Sequence, residues 1–305
     1  MKSVLLSCFG ASLILLSSCD MGSSKKELGS SAQHPVKIAI VPAGQAAKAL
    51  SSAEPLTRCI EKASNLYVKV DVPNSYIAVS EAMGSGQVDV AFGDISSYLI
   101  ARIKYKAEAL LQVNRYGTDY YQSMIFVKSD SPIKTIKDLD GKRFAYSDAS
   151  SASSYILPLI ALKKEGIQFG EKLPTGSMDA SVTALLQNKV DAAAAYYNAP
   201  DATGHILDAR ERVLTIFPNI EKDTRIVWKS EHIPNEPIFV RAGLSPELKH
   251  KLATSISECV KKFPRAINNI ETLTEIDKDN KTYDNYISML EASGLDIVSV
   301  FTKKK

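Results

Sequence analysis

From Val36 onward, short β-branched runs alternate with stretches of helical period, and this commits the chain to an α/β fold. Residues 36–42 read as a strand, 46–63 as a helix, 66–72 as a strand and 75–83 as a short helix. A strand at 88–92, a helix at 96–104 and a strand from 109 to 113 follow. The grammar then repeats, with strands at 122–127, 143–146 and 190–196 and helices at 153–165 and 179–187. Further strands are expected at 213–217 and 225–228. Ser245-Pro246-Glu247 opens a helix to about Lys262 through a serine cap and a first-turn proline, and 264–293 are expected to be helical. Such alternation predicts parallel strands with helical crossovers.

The length of 305 residues leaves room for two domains at roughly 100–200 residues each. Hydrophobic residues at 45% and charged residues at 23% exclude a disordered, collagen-like or multi-span membrane chain. A net charge of +3, from 37 basic and 34 acidic residues, gives no electrostatic case for nucleic acid. The segment 82–92 echoes 184–194, a helix ending at a polar turn before Val-Asp opens a buried strand, with Asp89 and Asp191 in matching places. Carboxylates so placed bond backbone amides, so both are assigned a structural role.

Residues 1–18 form an export signal: a positive start at Lys2, then an uncharged and mostly apolar stretch over 4–16. At about 1.5 Å per residue that stretch is too short for a bilayer core of about 30 Å. Leu16-Ser17-Ser18-Cys19 looks like a bacterial lipobox, which makes Cys19 the lipidated residue. Residues 19–35, rich in Ser, Gly and Lys, read as a flexible tether. Lys303-Lys304-Lys305 is a solvated end. Cys59 and Cys259 either pair in an oxidising compartment or remain buried thiols, and the sequence leaves both open.

The residues carry little catalytic chemistry. His34, His205, His232 and His250 have no metal-ligand spacing, no nucleophile elbow or phosphate loop occurs, and Gly84-Ser85-Gly86 is a turn. The informative segment is 148–158, where serines follow a strand and precede a helix. Unpaired amides and the positive end of the helix dipole converge there, and serine hydroxyls add donors, which suits an oxyanion. Locally, a single capping serine explains the same pattern.

Six segments in order carry a family resemblance. Residues 121–127, 130–143 and the serine turn, then 176–180, 190–193 and 228–238, closely resemble the phosphonate-binding family of periplasmic solute-binding proteins. The resemblance implies a two-lobed type II periplasmic-binding-protein fold, each lobe a mainly parallel sheet flanked by helices. Lobe 1 would combine 36–116 with 228–305, and lobe 2 would be 117–227. The family's Ser-Thr-Ser anion turn falls on Ser151-Ala152-Ser153, with Ser154 adding an amide, its cleft tyrosines on Tyr76 and Tyr121, and an acidic residue facing the ligand's amine on Glu236. A family histidine aligns with Met178 and a family glutamate with Asn198. Met178 cannot hydrogen-bond as imidazole does, which points to a less charged or partly aromatic ligand held in part by stacking.

The implied function is a substrate-binding lipoprotein of an ABC importer, which captures a phosphonate or related phosphorus oxyanion or phospho-ester without cofactor or metal. Its partners would be a small anionic ligand, the permease and its ATPase, and its place the outer face of the cytoplasmic membrane. A thiamine-like or nucleoside-like ligand on the same scaffold is the alternative, and an enzyme or sensor lipoprotein on this fold is the alternative of another class.

Overall fold

A computed structural model describes residues 27–41, 46–73, 75–276 and 281–294, so the signal segment, Cys19 and Lys303–Lys305 lie outside the described residues. The chain runs through β1 (Val36–Ile40), α1 (Ala46–Ser64), β2 (Val68–Asp71), α2 (Tyr76–Gly84), β3 (Val90–Phe92), α3 (Ile95–Tyr105) and β4 (Glu108–Asn114). Next come β5 (Tyr120–Lys128), β6 (Phe144–Tyr146), α4 (Leu157–Lys164), β7 (Lys172–Pro174), α5 (Met178–Leu186) and β8 (Ala192–Tyr197). The remaining elements are α6 (Ile220–Asp223), β9 (Thr224–Lys229), β10 (Ile233–Pro234), β11 (Pro237–Val240), α7 (Pro246–Lys262), β12 (Thr272–Glu275) and α8 (Lys281–Ala292).

These strands form two sheets, one ordered β12-β4-β11-β3-β1-β2 and the other β10-β5-β8-β6-β7 with β9 also on β5. Both are mixed, which corrects the expectation of mainly parallel sheets. Parallel pairing holds for β1 with β2 and β3, and for β6 with β7 and β8. The strands that enter and leave through the crossings, β4, β5, β10 and β11, pair antiparallel.

Side chains alternate across each sheet as the pleat demands. In β1, Val36, Ile38 and Ile40 join the core under α1 and α7, while Ala39 faces the core shared with α2, α3 and α8. In β5, Met124 and Phe126 point to one side and Ile125 and Val127 to the other. Ala192 to Ala195 have low strand propensity, yet all four are buried in β8, where two neighbouring strands impose the conformation. Cys59 and Cys259 are bonded and join α1 to α7 on the outer face of the first sheet.

The matched aspartates do the same work in both lobes. Asp89 accepts the Lys37 amide (2.9 Å) and pairs with Arg241, clipping β3 beside β1. Asp191 accepts the Arg143 amide (3.0 Å) and its guanidinium, clipping β8 beside β6.

Several local expectations are revised. Residues 27–34 are ordered although they fall in the expected tether: Gly29 donates to the His34 carbonyl (2.7 Å) and accepts from Tyr67 (2.9 Å). Gly29 has φ +81°, and a Cβ there would meet Leu66 at 2.7 Å. Residues 213–217 form no strand. A 3-10 turn over Ala209–Val213, capped by Asp208, ends there, and the buried Arg210–Asp208 pair holds it. The stretch after Pro264 is not one helix, because Arg265, Asn268 and Asn269 take positive φ and turn the chain back into β12. Residues 153–165 begin as a π turn over Ala152–Ile156, with Ile156 N donating to Ser151 O; Pro158 lacks the N–H that an α turn needs from it.

The chain passes between the sheets twice, at 115–119 and again at 235–236, and the second passage comes after β10 rather than directly after Trp228. Buried Asn235 clasps the two passages. Its amide donates to Asp119 O (2.7 Å) and its side chain to Val113 O (3.2 Å) and Thr118 O (3.0 Å). The Asn235 carbonyl accepts from Gln112 (3.2 Å) and from Tyr283 of α8 (3.1 Å). Asn235→Ala removes the side-chain donor to the Val113 carbonyl and to the Thr118 carbonyl, the latter still held by the Arg115 amide (3.0 Å), so a loss of about 1–3 kcal/mol in denaturant unfolding is expected. A loss below about 0.5 kcal/mol would show that water replaces the clasp.

Candidate functional site

A cavity of about 530 Å³ lies between the sheets, within the roughly 300–1,000 Å³ of small-molecule sites. Helix N-termini converge on it. Ser75 caps α2 by accepting the Ala78 amide (3.2 Å) and presents Tyr76 as the first helical residue. Ser177 caps α5 by accepting the Ala180 amide (3.2 Å) and presents Met178 in the same way. Tyr76 and Met178 are therefore equivalent positions of the two lobes, at the same spacing as Asp89 and Asp191.

The serine turn is the third N-terminus. Ser151 caps the π turn, its Oγ accepting the Ser154 amide (3.2 Å). The amides of Ala152 and Ser153, first and second in that turn, have no acceptor among the described residues. The Ser153 carbonyl is held by Ser123 Oγ (2.6 Å), which fixes the turn's orientation, while its hydroxyl is unengaged among the described residues. Two amides and a hydroxyl thus line the cavity as donors without positive charge.

The charges around the cavity are arranged in pairs with one exception. Arg115 forks onto both oxygens of buried Glu236, with Nη1 to Oε2 at 3.0 Å, and its Nε donates to Asn268 O (2.7 Å). Arg212 bonds Asp179, and Arg265 bonds Glu271. Asp94 has no cationic partner among the described residues; its oxygens accept the Ser96 (3.2 Å) and Ser97 (2.9 Å) amides as the cap of α3. Burial pushes the Asp94 carboxyl up to about 6 against the Ser97 and Ser96 hydrogen bonds, and the Glu236 charge adds to the rise. Burial also raises the Tyr76, Tyr121 and Tyr196 hydroxyls, so all three are neutral donors.

Of the residues singled out in the sequence, Tyr76, Tyr121, Ser151, Ala152, Ser153, Met178, Asn198 and Glu236 line this one cavity. Ser154 does not; its Oγ turns away to Ser147 Oγ (2.7 Å), closing the turn onto the end of β6. Glu236 is not a free carboxylate, because Arg115 already neutralises it. Asn198 donates to Leu207 O (3.3 Å). Sequence reading missed Asp94, Arg115, Tyr116, Tyr196 and Arg212, which also line the cavity. Asp94-Ile95-Ser96-Ser97 carries a capping-box signature that was available. Tyr116 had none: it takes φ +53° beside Gly117 in the tight turn of the first passage, a conformation a tyrosine rarely adopts.

The raised Asp94 has a stability consequence. Its folded value exceeds the unfolded one, so the ionised group opposes folding above pH 6, and the burden lifts as pH falls through 6 toward 4. Asp94→Asn keeps a capping side chain and removes the charge. The ligand-free variant should melt above the wild type at pH 8, with the gap shrinking at pH 5; a gap that is constant or widens toward pH 5 would contradict the assignment.

Comparison with known proteins agrees with this architecture. The model of the periplasmic phosphonate substrate-binding proteins of ABC transporters matches residues 38–280. The Phosphate-import protein PhnD of Mycolicibacterium smegmatis is 26% identical over 264 residues, 81% of this chain and 79% of that protein. A binding protein component of an ABC phosphonate transporter from Pseudomonas aeruginosa superposes with TM-score 0.69 and 20% identity, covering 86% of this chain and 89% of that one. PhnD1 of Prochlorococcus marinus, solved with methylphosphonate, gives TM-score 0.67 and 18% identity over 84% of this chain and 97% of that one. These structures share the type II periplasmic-binding-protein fold, and the relatives are transport proteins rather than enzymes. With two mixed sheets, a double passage and a cleft between them, the chain belongs to the phosphonate-binding family of periplasmic substrate-binding proteins of ABC transporters.

Proposed function

We propose that this chain is the lipid-anchored capture component of an ABC importer and that its ligand is a phosphonate or related small phosphorus oxyanion. The observation that carries the reading is the serine turn: two unpaired amides and the Ser153 hydroxyl at a helix N-terminus, lining the cleft. In this mechanism the turn holds the oxyanion, and Tyr76 and Tyr121 donate or wall the site from the other side. Contacts from both lobes stabilise a closed form about the two passages, and the permease recognises that form. Met178, with Tyr76, Tyr121 and Tyr196 lining the same cavity, favours as a second reading a ligand with an aromatic portion, thiamine-like or nucleoside-like.

Among the described residues no helix is long and apolar enough to cross a membrane. The anchor is assigned to the Cys19 lipid, with Asp20 next to it favouring the outer face of the cytoplasmic membrane.

Thermal-shift titration separates the ligand readings, since a ligand raises native stability by mass action. Phosphate, phosphite and alkylphosphonates should raise the melting temperature; a response to thiamine or nucleosides alone would move the assignment to the second reading. Ser153→Ala should weaken binding of the responding oxyanion by about 1–3 kcal/mol in calorimetry, the range for a hydrogen bond to a charged group. Unchanged affinity would remove the turn from the site. For the anchor, Cys19→Ser should shift the protein from the membrane to the soluble fraction, and unchanged fractionation would refute lipidation at Cys19.

A further inference from the structure

The turn that carries the cleft's two unpaired amides depends on a side chain from another element. Its backbone bonds follow an i to i+5 ladder. The Ile156 amide donates to Ser151 O (3.0 Å) and the Leu157 amide to Ala152 O. The next rung would run from residue 158 to Ser153 O, and Pro158 has no N–H to supply it. Ser153 and Pro158 are both buried, so the orphaned carbonyl needs a donor from within the protein. Ser123 of β5 provides it, its Oγ donating to Ser153 O at 2.6 Å.

Ser123 is committed to this contact. It is fully buried, its amide donates to Ser230 Oγ (2.9 Å) and its carbonyl accepts the Ser230 amide (2.9 Å), which leaves its hydroxyl to reach the turn. Ser123 does not line the cavity itself, but Tyr121, two residues earlier on the same face of β5, does. One strand therefore carries both a wall of the site and the bond that orients the turn. Without the Ser123 hydroxyl, the peptide that follows Ser153 would have to rotate to bring its carbonyl to another donor. That rotation would carry with it the residue whose amide and hydroxyl line the cavity.

We propose, building on the phosphorus-oxyanion reading, that Ser123 is a positioning residue for ligand binding. Its hydroxyl takes the place of the amide that Pro158 cannot supply, and so fixes the Ala152 and Ser153 donors relative to Tyr121. The anion touches the turn and not Ser123, so the residue acts through geometry alone.

The test is a set of variants of the purified protein titrated by calorimetry with phosphate, phosphite and methylphosphonate, with circular dichroism and melting as checks of folding. Ser123→Ala should weaken whichever of these anions the wild type binds by about tenfold, the equivalent of one hydrogen bond. Pro158→Ala supplies an amide in register with Ser153 O, and in the Ser123→Ala background it should restore binding to within about threefold of the wild type. Ser64→Ala removes a buried hydroxyl that donates at the same 2.6 Å to the Ile60 carbonyl of α1, outside the cavity, and should lower the melting temperature without weakening the anion. Wild-type affinity in Ser123→Ala, a loss that Pro158→Ala fails to recover, or an equal loss in Ser64→Ala would overturn the role of Ser123 and leave the oxyanion reading standing. A wild type that binds none of the three anions would overturn the oxyanion reading and this inference with it.

Discussion

The clasp at Asn235 is the constraint on which the rest of the architecture hangs. Two sheets joined by two adjacent passages need those passages to remain in register, and one buried side chain in the second bonds a carbonyl just before the first and another within it. Next to it, Arg115 and Glu236 join the same two passages through charge, at the rim of the cavity. A buried ion pair is weak evidence of net stability but strong evidence of fixed geometry, since breaking either half strands a charge. The two passages are thus tied to each other where they meet.

The cleft follows from a repeated local rule. In both lobes an aspartate clips a strand to its parallel neighbour, and a serine caps a helix whose first residue faces the cavity. The repetition places Tyr76 opposite Met178, so the two lobes offer different chemistry at equivalent sites. A phenol can donate to an oxyanion; a thioether packs against the less polar part of a ligand.

Much of the fold was legible because it rests on periodicity and caps. The strand and helix pattern through β8, except for the short β7, follows from apolar alternation, and α7 from Ser245-Pro246. Where the reading failed, local turn geometry decided. Val213 and Ile216 suggest a strand by composition, but the buried Arg210–Asp208 pair holds a tight turn there. Residues 264–271 look helical until three positive-φ residues reverse the chain. In the site, Tyr76, Tyr121 and the serine turn line one cavity; the turn is legible as a helix start after a strand, whereas the two tyrosines are singled out only by the family resemblance. Which carboxylate is free is not visible in that way. Glu236 and Asp94 differ only in whether an arginine from elsewhere in the chain reaches them, and that is settled by folding.

The bond between Cys59 and Cys259 changes what kind of object the second lobe is. The chain between these residues carries β5 to β10 away from the first sheet and back again, so the whole second sheet is an excursion on a closed covalent ring. Both ends of that ring lie in the core under α1 and α7, and neither cysteine lines the cavity. In an oxidising compartment exposed to proteases, a single cut anywhere in the second lobe still leaves one connected molecule, its two fragments held at α1 and α7 for the clasp to bring back into register.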